Sequence, residues 1–247
     1  MNGVVVITGG SRGIGAATAR RAARDGWDVV LGYRSDRAAA QAVVADCETF
    51  GRTAVAVQCD VAKEDEVLAL FDAVPASAPL RGLVNNAGIV APETTVSEMS
   101  ADRIRRLLEV NVLGAFVCAR EAVRRMSTSQ GGGGGAIVNV SSGAAVMGAP
   151  GTYVDYAASK AALDALTTGL SREVADQGIR VNTVRPGLID TEIHERNGQL
   201  NRLDKLRSTI PMGRAGTAEE VASAIVWLLS DESSYSTGAF IDVRGGR

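Results

Sequence analysis

Tyr156 and Lys160 stand four residues apart in a stretch of helical periodicity that covers residues 156–177. At this spacing the two side chains share one face of a helix, one turn apart. A free tyrosine has a pKa of about 10 and is a poor base at neutral pH, but a neighbouring ammonium stabilises the phenolate and lowers that pKa. On spacing alone such residues are ordinarily just a solvated pair, but the strand end and the motifs described below favour a proton-transfer pair in which Lys160 lowers the pKa of Tyr156.

Two hydroxyl groups precede this helix. Ser141 and Ser142 follow directly after an apolar, β-branched run at residues 136–140. In a parallel sheet, ligands bind beyond the carboxyl ends of the strands. Both serines are therefore candidates for a hydrogen bond to a molecule that exchanges a proton with Tyr156. Their position alone leaves the choice between them open.

A glycine-rich turn follows the first apolar run of the chain. After Thr8 the sequence Gly-Gly-Ser-Arg-Gly-Ile-Gly leads from Gly9 to Gly15 into a helical stretch at residues 14–25. Glycines let the backbone turn sharply and approach a pyrophosphate, whose charge is favoured by the N–H groups and the dipole of a helix N-terminus. The spacing Gly-x-x-x-Gly-x-Gly differs from the common Gly-x-Gly-x-x-Gly. The succession of strand, turn and helix nevertheless predicts a dinucleotide site.

Strand-like and helix-like stretches alternate along the chain. The predicted strands cover residues 4–8, 28–33, 53–58, 82–84, 136–140, 179–184 and 239–243. The predicted helices cover residues 14–25, 38–50, 64–74, 101–126, 156–177 and 218–229. This alternation favours right-handed βαβ crossovers, and the continuously apolar strands favour burial on both faces. The predicted fold is α/β, a doubly wound, seven-stranded parallel sheet (Rossmann fold) with helices on both faces.

Composition narrows the classes of function. With 247 residues and 46% hydrophobic side chains, residues 1–247 are predicted to form a single domain around one full core. The 26 Lys and Arg against 28 Asp and Glu offer no large field for nucleic acid or an anionic membrane. The three scattered cysteines fit neither a disulfide framework nor a zinc site. Because no secretory or membrane-spanning segment is apparent either, we expect a cytoplasmic protein without metal that acts on a small molecule.

Further motifs extend the pattern along the chain. Between the glycine turn and the end of the predicted sheet stand Asn85-Asn86-Ala87-Gly88, Asn111, Val140-Ser141-Ser142, Tyr156-Ala157-Ala158-Ser159-Lys160 and Pro186-Gly187. Agreement of this many ordered motifs by chance is negligible, and they cover essentially the whole chain. The sequence resembles the short-chain dehydrogenase/reductase family, classical type.

This resemblance implies an oxidoreductase that moves a hydride between NADP(H) and a carbonyl or secondary alcohol. It implies that Tyr156 exchanges the proton and that Ser142, rather than Ser141, hydrogen-bonds the same oxygen. It also implies that Asn111 holds a water behind Lys160. The implied cofactor contacts are Gly9, Ser11, Arg12, Gly13, Ile14, Gly15, Asp60, Val61, Asn86, Ala87, Gly88, Tyr156, Lys160, Pro186, Gly187, Ile189 and Thr191. These motifs do not separate ketoreductases of fatty-acid synthesis from sugar and xenobiotic carbonyl reductases.

The choice of cofactor depends on the end of the second predicted strand. An NAD-selective site places Asp or Glu there, and that carboxylate repels a 2′-phosphate. This chain has Arg34 and Ser35 instead, and Arg12 of the glycine turn can close on the same group. Because these three side chains could all donate hydrogen bonds to a 2′-phosphate, the sequence predicts a preference for NADP(H). The competing interpretation is that Arg34 caps a solvated helix start and that Asp36 partly neutralises it.

Several single residues, and the function as a whole, admit a second interpretation. Asp60 could be the N-cap of a helix after Val61, residues 85–88 could form a purely structural turn, and Ser141 could take the place of Ser142. A non-catalytic NADP-sensing or scaffold protein could have the same fold, although such proteins usually lose the Tyr or the Lys. An epimerase or dehydratase normally has a longer C-terminal substrate domain, for which we expect no room in 247 residues.

A substrate lid is expected at about residues 188–213, because residues 188–210 are polar and follow a strand end. His194 lies in this segment and is not assigned a catalytic role. Small and apolar side chains are expected to give the substrate pocket a hydrophobic surface. These are Ala144, Val146 and Met147, together with Tyr153.

Two expectations concern connections and assembly. Five glycines at residues 131–135 are expected to form a flexible surface connection. The helices at residues 101–126 and 156–177 are long, and the family resemblance implies that they pair with their symmetry mates, with a further contact from the C-terminal strand. A homotetramer with two-fold axes is therefore expected.

Overall fold

The structure, a computed structural model, describes residues 3–191 and 207–247. In this part of the chain, seven strands form one parallel sheet in the order β3-β2-β1-β4-β5-β6-β7. The predicted strands are confirmed, with ends that differ by at most two residues. Their bounds are β1 Val4–Ile7, β2 Asp28–Tyr33, β3 Ala54–Gln58, β4 Leu80–Asn85, β5 Gly135–Val140, β6 Ile179–Pro186 and β7 Phe240–Val243.

Helices cover both faces of the sheet. Alternate residues of β1 point to opposite faces: Val5 and Ile7 pack into a core with α1, α2 and α8, whereas Val4 and Val6 pack into a second core with α3 and α5. The predicted doubly wound α/β fold is therefore confirmed. The helices are α1 Gly13–Arg24, α2 Arg37–Glu48, α3 Glu64–Asp72, α4 Ala101–Leu108, α5 Gly114–Met126, α6 Ala144–Met147, α7 Val154–Glu173 and α8 Ala218–Leu229.

The single helix predicted for residues 101–126 is divided into α4 and α5. Between them Glu109–Leu113 form a π-helical segment, a feature that is frequent at functional sites. Asn111 lies in this segment, fully buried, and its side chain bonds the backbone of Ile89 in the loop after β4. The apolar pattern continues through the π-helical segment without interruption, so the sequence predicts one helix.

Two further helical boundaries differ from the prediction. The short helix α6 is not predicted, because a single turn is too short to show periodicity; it follows Ser142, whose Oγ accepts the N–H of Ala144 at 3.1 Å. Helix α7 begins at Val154, two residues before the predicted start. It ends at Glu173, and a 3₁₀ turn at Ala175–Gln177 completes the predicted range.

The glycine run at residues 131–135 reaches the surface at Gly131 and Gly133, as predicted, but Gly132 and Gly134 are closely packed, which the prediction did not include. Gly134 has a φ of +73°, and a Cβ at this position would lie 2.5 Å from the carbonyl oxygen of Gly178. A Cβ on Gly132 would lie 2.5 Å from the carbonyl of Met126. The backbone N–H of Gly134 donates to that same carbonyl at 2.7 Å. The end of α5 can approach β5 and β6 this closely only where side chains are missing.

The order of the strands reverses between β1 and β4, since the chain first adds β2 and β3 on one side of β1 and then β4 to β7 on the other. In open parallel sheets such a reversal opens a crevice at the carboxyl ends of the strands, where ligands bind. The turns after β1 and β4 therefore face each other across the expected site.

The predicted lid lies mostly outside the described residues. Residues 192–206, with His194 among them, belong to the part of the chain that the structure does not describe. At its described start, Leu188 and Ile189 are buried, and Ile189 forms an isolated parallel bridge with Gly216. Among the helices of residues 3–191 and 207–247, none has both the length and the hydropathy to cross a membrane.

Candidate active site

A cleft of about 1130 Å³ opens at the carboxyl edge of the sheet and reaches from the turn after β1 to the start of α7. All predicted site residues except Gly15 and Asn111 line this cleft. They come from six strand ends and one helix. The predicted residues in its wall are Gly9, Ser11, Arg12, Gly13, Ile14, Arg34, Ser35, Asp60, Val61, Asn86, Ala87, Gly88, Ser142, Tyr156, Lys160, Pro186, Gly187, Ile189 and Thr191.

The turn between β1 and α1 is shaped to receive an anion. Gly9 and Gly13 have φ values of +64° and +51°, in the left-handed region that favours glycine. The first turn of α1 contains no acidic residue, and the side chain of its N-cap, Arg12, makes no capping hydrogen bond. The amide groups at this helix start can therefore bind an external anion. The residues present fit the phosphates of a dinucleotide.

The turn after β4 is bound to the glycine turn by two side chains. Thr8 Oγ1 accepts the N–H groups of Asn86 and Ala87, both at 3.0 Å. Asn86 Nδ2 in return donates to the carbonyl oxygens of Thr8 at 2.9 Å and Gly9 at 3.0 Å. Asn86 thus has the structural role that the sequence left open. Ala87 and Gly88, which follow it, extend along the cleft wall.

Gly15 lies in the first turn of α1, behind the glycine turn and outside the cleft. A Cβ at this position would lie 2.6 Å from Nδ2 of Asn86 and closer still to the carbonyl oxygen of Gly9. Its predicted role as a cofactor contact is therefore corrected to close packing of α1 against the turns after β1 and β4.

Ser142, Tyr156 and Lys160 meet at one end of the cleft. The hydroxyl of Ser142 lies close enough to that of Tyr156 to lower its pKa. Lys160 Nζ lies 5.8 Å from the centre of the Tyr156 ring and donates to the carbonyl oxygen of Val140 at 2.8 Å. Ser141 is buried, and its Oγ donates to the carbonyl oxygen of Lys160 at 3.1 Å. The geometry therefore places Ser142 beside Tyr156 and gives Ser141 a backbone contact.

Burial decides the protonation states of this group. The surrounding protein raises the pKa of Tyr156, and the hydrogen bond with Ser142 offsets this only in part. Burial lowers the pKa of Lys160 to about 8, against the opposing effect of the Asp164 carboxylate. Desolvation is the largest effect on the pKa of Tyr156 in this structure, and the lowering of this pKa by Lys160 stays a prediction. Tyr156 therefore carries its proton at neutral pH.

Asn111 lies behind this group, next to the cleft but not in its wall. Its Oδ1 accepts the N–H of Ile89 at 2.8 Å, and its Nδ2 donates to the carbonyl oxygen of Ile89 at 2.9 Å and to Ser159 Oγ at 3.0 Å. A Cβ on Gly88 would lie 3.3 Å from Lys160 Nζ and 3.4 Å from Asn111 Oδ1. The two side chains thus border the same glycine, and the water expected between Asn111 and Lys160 stays a prediction.

The opposite end of the cleft is basic. Arg12 Nη2 lies 3.0 Å from Asp36 Oδ2, and Arg34 Nε lies 3.7 Å from Asp60 Oδ2. The side chain of Arg34 is 64% exposed. Asp36, and not Arg34, caps the start of α2. The capping role weighed for Arg34 is therefore wrong, and Asp36 pairs with Arg12 instead.

Asp60 is held by a residue that the sequence motifs do not include. Arg106 of α4 lines the cleft and donates from Nη2 to Asp60 Oδ2 at 2.8 Å, while Asp60 Oδ1 accepts the N–H of Ala62 at 3.1 Å. Burial raises the pKa of Asp60, but these hydrogen bonds bring it below its usual value. Because α3 begins only at Glu64, Asp60 is not its N-cap. Arg106 is 46 residues away in the chain, and no local pattern connects the two.

Further cleft residues are likewise absent from the sequence predictions. Of the predicted pocket residues, Tyr153, Ala144 and Met147 line the cleft, whereas Val146 is exposed and lies outside its wall. Tertiary structure alone assembles these parts of the wall from the ends of β3 and β6, the loop after β4, the π-helical segment, the segment before α7 and the residues after β7. These residues are Cys59, Ile89, Val90, Glu93, Val110, Ala149, Pro150, Thr152, Leu188, Arg244 and Arg247.

Comparison with known proteins agrees with this architecture. A family model described as Enoyl-(Acyl carrier protein) reductase matches residues 9–247. Escherichia coli (strain K12) has an oxidoreductase named YgfF, described as uncharacterized, that is 55% identical over 99% of this chain and 99% of its own. The 3beta-hydroxysteroid dehydrogenase 1 of Eggerthella lenta is 41% identical over 98% of this chain and 92% of its own.

A solved structure of a similar protein has the same fold. A short chain dehydrogenase from Burkholderia cenocepacia J2315, crystallised in complex with NADP, matches with a TM-score of 0.90 at 35% identity, covering 100% of this chain and 98% of that one. This chain belongs to the short-chain dehydrogenase/reductase family. Short-chain dehydrogenases/reductases are oxidoreductases with a nicotinamide cofactor, and the cleft described above is where such a cofactor fits in this chain.

The depressed pKa of Lys160 makes a prediction about stability. Between pH 8 and 10.5 the unfolded chain binds more protons at Lys160 than the folded protein does, so this residue destabilises the fold below pH 8 and the penalty disappears as the pH rises. We expect Lys160→Met to gain stability relative to wild type at pH 7, and this gain to shrink by about 2 kcal/mol at pH 9.5. Urea unfolding at both pH values measures the change. The control is Lys63→Met, at a lysine whose side chain is 60% exposed; an equal pH effect in both variants would contradict the assignment.

Proposed function

We propose that this chain is an NADP(H)-dependent oxidoreductase of the cytoplasm that transfers a hydride between the nicotinamide and a carbonyl or secondary alcohol, with Tyr156 as general acid and base. The proposal is carried by the grouping of Ser142, Tyr156 and Lys160 in a cleft whose other end is a glycine turn with an uncapped helix start. A proton donor and a phosphate cradle in one cleft are what carbonyl reduction by a dinucleotide requires.

The cofactor, when bound, supplies or accepts the hydride. The backbone of the turn from Gly9 to Ile14 would hold its phosphates, and Asp60 with Val61 would hold the adenine. Residues 86–88 would line the ribose next to the nicotinamide, while Ile189 and Thr191 would meet its carboxamide and phosphate. All of these residues except Gly10 line the cleft.

The proton is assigned to Tyr156. Because burial raises the pKa of Tyr156, its hydroxyl is protonated at neutral pH and suited to donate to a carbonyl oxygen. Lys160, with a pKa of about 8, is mostly charged at pH 7 and stabilises the negative charge that develops on Tyr156 as the proton leaves. Ser142 holds the reacting oxygen. Because all three side chains are present and grouped, we favour an enzyme over a non-catalytic scaffold.

The substrate is a small carbonyl compound or alcohol with apolar surface. Apolar side chains dominate the cleft around Tyr156, with Ala144, Met147 and Pro150 among them. A panel of 2,3-butanedione, cyclic ketones, acetoacetyl-coenzyme A and sugars, assayed with NADPH or NADP, defines the class. Absence of turnover with every member would count against an enzyme.

Replacement of Tyr156 tests the chemistry. Tyr156→Phe keeps the ring and its packing but has no transferable proton, so we expect unchanged cofactor binding and a loss of turnover of about 10²–10⁴-fold. Fluorescence titration with NADPH measures the first property, and steady-state kinetics measure the second. A variant with more than about a third of wild-type activity on any member of the panel would refute the role of Tyr156.

The preference for NADP(H) is supported by the charges at the basic end of the cleft. Arg34 and Ser35 occupy the end of β2 where a carboxylate would select NAD(H). The two carboxylates nearby are already paired, Asp36 with Arg12, and Asp60 with Arg106 and more loosely, at 3.7 Å, with Arg34 itself. Their charge therefore opposes a 2′-phosphate less than that of free carboxylates would, and Arg34 presents an exposed guanidinium to it.

Two substitutions test this preference in opposite directions. Arg34→Asp is expected to shift selectivity toward NAD(H) by about one to two orders of magnitude, since a lost charge-assisted contact is worth roughly 1.5–3 kcal/mol. Asp36→Asn keeps an oxygen to cap α2 but removes the charge beside Arg12, so we expect a stronger preference for NADP(H). Arg52→Asp, outside the cleft, is the control. Wild-type kcat/KM with NADH equal to or above that with NADPH would refute the preference.

We further propose a homotetramer. Helices α4 and α5 and the π-helical segment between them present the exposed apolar side chains Leu108, Leu113 and Phe116, which suit an interface with a symmetry mate. The three cysteines are free and buried, in keeping with a reducing cytoplasm. Light scattering at micromolar concentration is expected to give four times the 25.6 kDa chain mass. The double variant Leu113→Glu/Phe116→Glu should give smaller species, and a wild-type mass of one chain would contradict the assembly.

A further inference from the structure

A buried ion pair lies directly beside Tyr156 and has no part in the roles assigned above. Arg103 of α4 approaches Asp155 of α7 to 2.8 Å between Nε and Oδ2 and to 3.3 Å between Nη2 and Oδ1. The side chains are 15% and 3% exposed. This two-pronged contact is the geometry in which a guanidinium fixes a carboxylate in orientation as well as in position.

Asp155 holds the backbone of the residue that follows it. Its Oδ1 accepts the N–H of Tyr156 at 2.9 Å. This amide lies in the first turn of α7, where N–H groups have no acceptor within the helix. The Tyr156 ring leaves the chain from the Cα next to this nitrogen, so fixing the N–H restricts the direction in which the ring extends.

Arg103 connects this helix start to the cleft wall. Its Nη1 donates to the carbonyl oxygen of Pro92 at 2.6 Å, and Pro92 stands between Val90 and Glu93, which line the cleft. The backbone N–H of Arg103 is in turn bound by Ser100 at the N-cap of α4, at 3.2 Å. One guanidinium therefore ties α4, the loop after β4 and the start of α7 together.

The carbonyl of Tyr156 is held in a corresponding way from the other side. Ser159 Oγ donates to this carbonyl oxygen at 2.7 Å, and Asn111 Nδ2 donates to Ser159 Oγ at 3.0 Å. Both polar backbone groups of Tyr156 are thus engaged by side chains. The N–H belongs to the network of Asp155 and Arg103, and the C=O belongs to the network of Asn111.

We propose that Arg103 and Asp155 are positioning residues for Tyr156. The inference rests on the proposed function, in which Tyr156 exchanges the proton. Neither residue contacts the reacting atoms; their charge pair orients the start of α7 so that the hydroxyl of Tyr156 stays on that of Ser142. Loss of this orientation lowers the rate of proton transfer and has little effect on cofactor binding, because the phosphate cradle lies at the opposite end of the cleft.

A set of five variants separates this role from a structural one. Arg103→Met and Asp155→Asn each leave one buried group without its charged partner, and the double variant removes both charges. Arg103→Lys keeps the charge but cannot make the two-pronged contact while reaching Pro92. Arg105→Met is the control, since Arg105 forms an exposed ion pair with Asp102 on the same helix.

The readouts are kcat, KM for NADPH, Tm and the ¹³C NMR signal of the tyrosine Cζ, with the panel's fastest carbonyl compound as substrate. We expect Arg103→Met to lower kcat about ten-fold or more, with KM for NADPH changed less than about two-fold. Arg103→Lys should recover part of the rate. The double variant should regain Tm without regaining kcat, because removing the unpaired charge restores stability but not orientation. The Tyr156 signal, identified by its loss in Tyr156→Phe, should shift in Arg103→Met and not in Arg105→Met.

Opposite results would overturn the proposal. If kcat in the single and double variants followed Tm alone, or if the Tyr156 signal stayed in place in Arg103→Met, the ion pair would be structural. These outcomes differ from a failure of the proposed function, in which Tyr156→Phe itself remains active. The NMR measurement needs no substrate, so it decides the positioning role even where the panel gives no turnover.

Discussion

The crevice between β1 and β4 depends on one buried hydroxyl. Thr8 Oγ1 donates to the carbonyl oxygen of Val84 at 3.3 Å and accepts the N–H groups of Asn86 and Ala87. These three bonds hold together two turns that diverge from neighbouring strands, at the place where the direction of winding reverses. The N–H of Asn86 also donates to the carbonyl oxygen of Val84 at 3.0 Å, and the Thr8 hydroxyl adds an acceptor for it and for Ala87 where the parallel ladder ends. The glycine turn and the wall of residues 86–88 owe their relative position to this hydroxyl together with the bonds that Asn86 Nδ2 donates to Thr8 and Gly9.

At the other end of the cleft, burial both creates and limits the proton-transfer group. The same desolvation that keeps Tyr156 protonated brings the pKa of Lys160 down to about 8. The bond from Lys160 to the carbonyl oxygen of Val140 compensates for part of the cost of burying an ammonium. A protonated tyrosine next to a lysine that is still mostly charged is the pair on which the proposed proton transfer depends.

Arginine–carboxylate pairs lie around the cleft, and the effect of each depends on how far its side chains are buried. Arg12 with Asp36 is partly exposed, so solvent screens it and its main effect is to leave less negative charge facing a phosphate. In the pair of Arg106 with Asp60 the carboxylate is more buried, and Arg106 fixes its position in the cleft wall. Arg103 with Asp155 is the most enclosed of the three and joins three elements at the start of α7. The charges in the sequence do not reveal these differences, because they depend on how far the tertiary structure shields each pair from solvent.

The sequence by itself determined the fold class, the seven strands and nearly all of the motif residues in the cleft wall. Burial on two faces requires continuously apolar strands, and the ordered motifs from the glycine turn to Pro186-Gly187 mark the strand ends that form the site. Tertiary structure alone decided the π-helical segment that carries Asn111, the close packing of Gly15 and Gly134, and the partners Arg106 and Arg103. Periodicity and spacing report which face of an element is buried, whereas these features depend on what stands opposite that face, up to dozens of residues away in the chain.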